Sequence, residues 1–330
     1  MKVLYIGMRH EYGDPSRGLS FEENNFRSSL EGMGHAVSAY DFMERAARDG
    51  VAQMRADLVA LAAETQPELA FFFLFTDQLD VETIEAVGRA GRCPTVNWFA
   101  DDHWRFEDFT RHFAPAFDLA VTTDADSLQK YRSLADTRVH LSQWACNRYA
   151  YGKVTDELKH EITFVGQPHG DRRQIVAGLQ DAGLAVECWG FGWPAGPLGH
   201  AEMVDVFASS RINLNLSNSS QAPGVKATVR RMLRLRPPPP RPPQIKGRNF
   251  EVPGCGGFLL TERLPHLEDF FELGREVAVF ERSDELAEQA RYWLEHEQQR
   301  RAIAEAGHRR VMAEHTYDHR FAAIFAELGL

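Results

Sequence analysis

The sequence predicts an α/β protein of two Rossmann-like, doubly wound domains facing across a cleft. Three observations carry that prediction. Apolar strand segments alternate with helical ones along the amino-terminal half, the pattern of a parallel sheet covered on both faces. LAFFFLF, Leu69 to Phe75, is apolar without interruption, as a strand buried on both sides requires. After a polar bridge at Tyr149–His160 the alternation starts again, which calls for a second domain. A length of 330 residues agrees with two domains, at about 100 to 200 residues each.

In chain order, VLYIG near the start reads as a strand, Phe21 to Gly34 as a helix stopped by glycine, and HAVSAYDF as the next strand. A helix over Val51–Thr65 leads into LAFFFLF. There follow a helix near Val81–Ala90, the strand TVNWFA, an aromatic and acidic loop, the strand DLAVTT, a helix near Ser127–Leu134 and the strand VHLSQW. The second domain opens with ITFVG as strand, Arg172–Ala182 as helix, AVECWG as strand, and Ala201–Ser209 as the helix leading into INLNLS. FEVPGCGG reads as a glycine-stopped helix, FLLTE and VAVF as strands, Asp284–His315 as a long helix with a polar face, and His319–Leu328 as the last helix. The expected boundaries are 1–155 for the first domain and 156–315 for the second, with 316–330 able to pack back on the first. Between Arg230 and Gln244 six of fifteen residues are proline, so no helix or inner strand persists there, and a Pro/Arg-rich loop at 230–244 is expected.

Composition excludes several classes. The longest apolar run has seven residues, against about 20 for a membrane-spanning helix. MKVLYIG has no basic region followed by an apolar stretch and a small-residue cleavage site, so a cytoplasmic location is expected. Cys93, Cys146, Cys188 and Cys255 are scattered without metal-ligand spacing, and no metal site is expected. The net charge of -10 hides an asymmetry: Ser209–Phe250 holds nine Lys or Arg and no acid, leaving -19 on the rest. Such a body repels nucleic acid, while the basic segment at 226–248 could still meet a polyanion or an anionic membrane surface.

Two tandem doubly wound domains place ligands at the carboxyl ends of their strands, where the strand order reverses. The loop after the first strand, GMRHEYGDPSRG, is not GxGxxG, and neither GxxxxGK[ST] nor GxSxG occurs. The densest signal is QIKGRNFEVPGCGGFLLTE, Gln244 to Glu262. Here Lys246 and Arg248 stand beside a helix start at Asn249–Glu251, an arrangement suited to phosphate. Glu251 either complements the helix dipole or takes a ribose diol. Gly254, Gly256 and Gly257 serve either a helix C-cap or close ligand approach.

RNFEVPGCGGFLLTE, LEDFFELGREVAVF, ARYWLEH and HTYDHRF together resemble the carboxyl-terminal half of the CgeB-like, spore-maturation type glycosyltransferases, group 1 enzymes with the GT-B fold. The likeness runs over roughly Ile162 to Phe321, and INLNLS, which contains Asn215, matches the strand before the family's donor loop. It implies a sugar transfer from a nucleotide diphosphate sugar, UDP- or GDP-linked, as co-substrate, with no other cofactor and no metal. It also implies a donor site on the second domain and an acceptor site on the first.

Carried over by position, Arg248 is expected on the donor diphosphate, Glu251 on the ribose and Lys246 as a second phosphate contact. Pro243 stands where group 1 enzymes often carry a further acid. Gly166 ends the domain's first strand, where the backbone is expected to approach the phosphate with help from Arg172 or Arg173. Trp189 and Gly190 fall where the base is usually held, and Asn215, Asn249 and Gly256 complete the expected donor set. In the first domain, WFADDHWRF supplies Asp101, Asp102 and His103, the concentrated acid/base group; Asp101 is the first candidate to take the acceptor's proton, and N-capping is the alternative for one of the aspartates. His10 and Tyr12, after the first strand, are candidate acceptor contacts. The acceptor is a glycan, a protein or a small molecule. The rival readings are a nucleotide-sugar epimerase or hydrolase of the same fold, and an inactive binding protein that keeps the architecture.

Overall fold

The computed structural model describes residues 1–152, 154–217 and 244–330. The Pro/Arg-rich loop expected at 230–244 lies outside the described residues but for Gln244, as does most of the basic segment 226–248. The chain forms two compact units, Met1–Tyr149 with Thr316–Leu330, and Ala150–His315. The first unit thus ends before the expected residue 155, because the Tyr151 side chain bonds to Glu251 and carries the bridge into the second unit.

The first unit is built on six strands, β1 (Lys2–Gly7), β2 (Ala36–Asp41), β3 (Leu69–Phe72), β4 (Thr95–Phe99), β5 (Leu119–Thr122) and β6 (Val139–Leu141). They lie in the order β2-β1-β3-β4-β5-β6, and every pairing is parallel. Period-two alternation sends successive side chains to opposite faces. On one face Leu4, Ile6, Ala70 and Phe72 meet Met54 and Leu58 of the helix Val51–Thr65, and Ile84 and Val87 of the helix Val81–Gly91. The other face is aromatic. Phe26, with no exposed surface, has its ring centroid 4.9 Å from Trp98, 4.9 Å from Tyr317, 5.2 Å from Phe73 and 5.6 Å from Phe321. Tyr317 and Phe321 belong to the last helix, Tyr317–Leu328, which is tied to this unit by Tyr317 N–H donating to the Cys146 carbonyl at 3.0 Å.

The second unit has β7 (His160–Val165), β8 (Val186–Trp189), β9 (Ser210–Asn215), β10 (Leu259–Glu262) and β11 (Ala278–Phe280) in the order β11-β10-β9-β7-β8, again all parallel. Ile162, Phe164, Ile212, Leu214 and Leu260 pack with Val176, Leu179, Leu286 and Ile303 from the flanking helices. In both units the strand order reverses beside the first strand, which puts the crevices at β1/β3 and β7/β9.

Three segments differ from expectation. HAVSAYDF stops as a strand at Asp41, whose carboxylate accepts from Met43 N–H at 2.9 Å and Glu44 N–H at 3.0 Å and so caps a helix over Phe42–Asp49. The aromatic and acidic loop after β4 is wound into short helical turns from Asp102 to Ala116. The long carboxyl-terminal helix is broken at His296 into Leu286–Glu295 and Glu297–Glu314, with the His296 ring stacked on Tyr292 at 3.8 Å and its backbone out of the helical region. Among the described residues no helix is long and apolar enough to cross a membrane.

Because Phe26 fills the aromatic face alone at its centre, Phe26→Ala is expected to cost about 3–5 kcal/mol. Urea unfolding of the variant beside the wild type measures this.

Candidate functional site

At the carboxyl edge of β7 and β9, the segment Gln244–Glu251 is fastened to the sheet by amides. Asn249 Oδ1 accepts from Lys246 N–H at 2.9 Å and from Asn215 Nδ2 at 3.2 Å, while Asn215 Nδ2 also reaches Thr261 Oγ1 at 3.1 Å. Both asparagines are buried. They were expected in the donor set; here they fasten the backbone of Lys246 to the sheet.

Arg248 opens the short helix Arg248–Gly254. Its guanidinium meets Glu251 Oε2, lies 3.1 Å from Met203 Sδ and sits 5.0 Å from the centre of the Phe207 ring. Burial opposes its charge, but the Glu251 carboxylate outweighs that and holds it above the ordinary arginine range. Glu251 has no exposed surface. Its other oxygen accepts from the Tyr151 hydroxyl at 2.9 Å, and His200 Nε2 lies 3.1 Å from that hydroxyl. Burial depresses the His200 imidazole, with the Glu251 charge opposing and the Arg248 charge adding. Glu251 was expected on the ribose; here its two oxygens meet Arg248 and Tyr151.

Arg172 joins this group. Its Nη1 donates to the Gln167 carbonyl at 2.8 Å and its guanidinium stacks over Phe164; burial lowers its pKa, with Glu262 opposing and Arg248 adding. Lys246 Nζ donates to Gln244 Oε1 at 2.9 Å. Arg172 and Arg248 thus lie in one another's field beside one buried carboxylate, with Lys246 two residues before Arg248.

Five further residues of the expected donor set pack against the unit's own backbone and rings. Gly166 N–H donates to the Trp189 carbonyl at 2.8 Å and its own carbonyl accepts from Trp193 Nε1 at 2.8 Å, so its backbone is committed to the neighbouring loop. Gly190, at φ +138°, lies so close that a Cβ would come 2.5 Å from the Gly166 oxygen, an approach that requires glycine. The Trp189 ring packs 5.5 Å from His160, the first residue of β7, and so turns back along the sheet edge. Gly256, at φ +73°, follows the far end of the helix and borders Ser210 and Phe258 at the amino edge of the sheet. Arg173 donates to the Gly192 carbonyl and stacks on Trp193, bracing the same loop.

In the first unit the carboxyl edge of β1, β3 and β4 is acidic. Asp102 was expected in acid/base work, but it has no exposed surface and its oxygens accept from Thr110 Oγ1 at 2.6 Å and the Tyr131 hydroxyl at 2.7 Å. Burial raises its pKa against those bonds. It is an internal anchor, whereas Asp101 and His103 are half-buried and stand at the edge. His10 pairs with Leu19 across an ordered loop, and Tyr12, at φ +55°, places its ring 5.4 Å from Phe75. Sequence reasoning missed Glu22, which opens the helix after this loop. It is 9% exposed, and its Oε2 has no hydrogen-bond partner among the described residues. Burial, joined by the Glu11 and Asp101 charges, pushes its carboxyl up to about 7. Tyr151 and His200 were missed as well, since nothing in the local pattern ties them to Glu251. Among the described residues no group of three or more His, Cys, Asp or Glu could hold a metal ion.

Residues 169–326 match the family model Glyco_trans_1_2, described as glycosyl transferase-like. No curated protein matches the chain in sequence. Among solved structures, sucrose-phosphate synthase from Thermosynechococcus elongatus aligns at a TM-score of 0.64 and 11% identity over 99% of this chain and 98% of its own. HepE from Anabaena in complex with UDP-glucose aligns at 0.62 and 13% over 100% and 98%. A glycosyltransferase from Rickettsia africae aligns at 0.64 and 8% over 99% and 98%. The chain has the two-domain fold of these proteins, and its carboxyl-terminal half is glycosyl transferase-like in sequence.

Glu22 sets a pH dependence. Its folded pKa of about 7 lies above the ordinary 4.5, so the native state keeps a proton that the unfolded chain loses. Stability is therefore expected to fall by roughly 3 kcal/mol as pH rises from about 4.5 to about 7, then level off. Denaturant titrations across that range should show this slope in the wild type and its loss in Glu22→Gln.

Proposed function

We propose that the protein is a glycosyltransferase, of group 1 and of CgeB-like type, working in the cytoplasm. It moves a sugar from a UDP- or GDP-linked donor to an acceptor hydroxyl without a metal ion. One observation carries the reading: Arg172 and Arg248 gather beside buried Glu251 at the β7/β9 crevice, with Lys246 two residues before Arg248, inside the segment with glycosyl transferase-like sequence. The resemblance of RNFE to the family's R-x-F-E element supports it. The UDP-glucose bound by HepE, which shares the fold, makes UDP the first nucleotide to test.

In the proposed transfer the bond between the anomeric carbon and the diphosphate oxygen breaks while the acceptor oxygen bonds to that carbon. The electron pair leaves on the diphosphate, and the acceptor hydroxyl gives up its proton. Arg248 and Lys246 meet the leaving charge, the task a divalent ion performs elsewhere. Glu251 is a positioning residue: it holds the Arg248 fork at a fixed angle before the donor arrives. The first unit takes the acceptor near His10, Tyr12 and Asp101, with Asp101 the candidate to receive the proton.

Thermal unfolding with UDP and with GDP, each with and without EDTA, tests the donor site. One nucleoside diphosphate should stabilise the protein equally in both conditions. Arg248→Ala should weaken that binding by at least about tenfold, the cost of a charge-assisted contact. Stabilisation that needs a divalent ion overturns the metal-free reading, and unchanged affinity in Arg248→Ala overturns the site. Release of nucleoside diphosphate from the sugar donor at full rate without acceptor favours the hydrolase rival.

A further inference from the structure

The amino edge of the second unit's sheet holds a cavity of about 110 Å³ bordered by Ser210, Arg211, Arg300, Arg301 and Ala304, with the acids Asp156 and Glu305 also on its wall. Arg300 is only 2% exposed. Its Nη1 donates to the Trp293 carbonyl at 2.7 Å, but its Nη2 is buried with no hydrogen-bond partner, and no described carboxylate lies within ion-pair distance of it.

The nearby charges make matters worse for it. Burial lowers its pKa, the charges of Arg211 and Arg301 add to that, and the Glu297 charge opposes it. The acids of this region are spent on other cations: Glu161 lies 3.4 Å from Arg211, Glu297 2.9 Å and Asp156 3.5 Å from Arg301, and Glu305 3.9 Å from Arg309. A buried charge without a counter-charge costs several kcal/mol, and guanidinium is the side chain best matched to a tetrahedral oxyanion. The volume is far below the about 300–1,000 Å³ of pockets for larger ligands, and it suits an ion of a few heavy atoms.

We propose that this cavity binds a small tetrahedral oxyanion of the phosphate class, with Arg300 as the inner donor and Arg211 and Arg301 at the rim. The ion would tie the helix Glu297–Glu314 to the start of β9. This site is separate from the cationic patch around Arg248: Ser210 and Asn215 are the two ends of β9, about 16 Å apart along the strand. The inference does not depend on the proposed activity.

Inorganic phosphate is the probe, titrated at constant ionic strength and followed by calorimetry and thermal unfolding. The wild type should bind one ion per chain with a saturable rise in Tm. Arg300→Met should weaken binding by at least about tenfold. Ala304→Glu, which supplies a carboxylate at the cavity wall, should also abolish it and raise the Tm measured without phosphate; it carries the test should Arg300→Met not fold. Arg248→Ala should leave binding intact. Glycerol phosphate binding as tightly as phosphate identifies a monoester ligand, and phosphate alone identifies the free ion. Absence of saturable binding, its survival in Arg300→Met, or its loss only in Arg248→Ala overturns the proposal.

Discussion

The fully buried carboxylate of Glu251 is the constraint around which the carboxyl edge of the second sheet is built. An isolated carboxylate in that position would cost several kcal/mol, and two partners remove the cost. Tyr151 comes from the bridge that leaves the first unit, and Arg248 comes from the preceding turn of the same short helix. Holding Arg248 there sets it against Phe207 and Met203 of neighbouring segments, and brings it into the field of Arg172. One buried negative charge therefore fixes the place and angle of the cation best suited to a diphosphate. The Asn215–Asn249–Thr261 amides serve the same end from the other side, since they hold the backbone of Lys246.

The two units use one winding rule and opposite electrostatics. Each sheet is parallel, with its order reversing beside the first strand, so each offers a crevice at its carboxyl edge. In the first unit the charges of Glu11 and Asp101 join burial in raising the proton affinity of Glu22. In the second, Arg172 and Arg248 gather instead, with Lys246 two residues before Arg248. An acidic edge suits a hydroxyl that must lose a proton, and a basic edge suits a leaving diphosphate. The division of labour in the proposed transfer follows from that contrast of charge.

Much of this was legible in sequence. Uninterrupted apolar runs such as LAFFFLF marked strands buried on both faces, and the strand-helix alternation marked the parallel sheets, because period and burial are local properties. Arg248 and Lys246 stood out because two cations beside a helix start suit an anion, and Arg248 does open a short helix. What escaped was set by distant partners. Nothing around Asp102 shows that Thr110 and Tyr131 will consume its oxygens, and nothing around Glu251 announces Tyr151, one hundred residues earlier. The surroundings of Gly256 and Trp189 were hidden for a geometric reason: a glycine after a helix and a tryptophan at a strand end read alike on either edge of the sheet. Glu22 was hidden because a glutamate in a first helical turn usually faces water.

The central claim is that the nucleoside diphosphate binds at the β7/β9 crevice, where Arg248 is held in advance by buried Glu251. Amide hydrogen exchange with and without UDP tests it by location. The account predicts slowed exchange over residues 244–251 and 166–173. Protection confined to the loop after β1, or to the amino edge around Ser210, would contradict it.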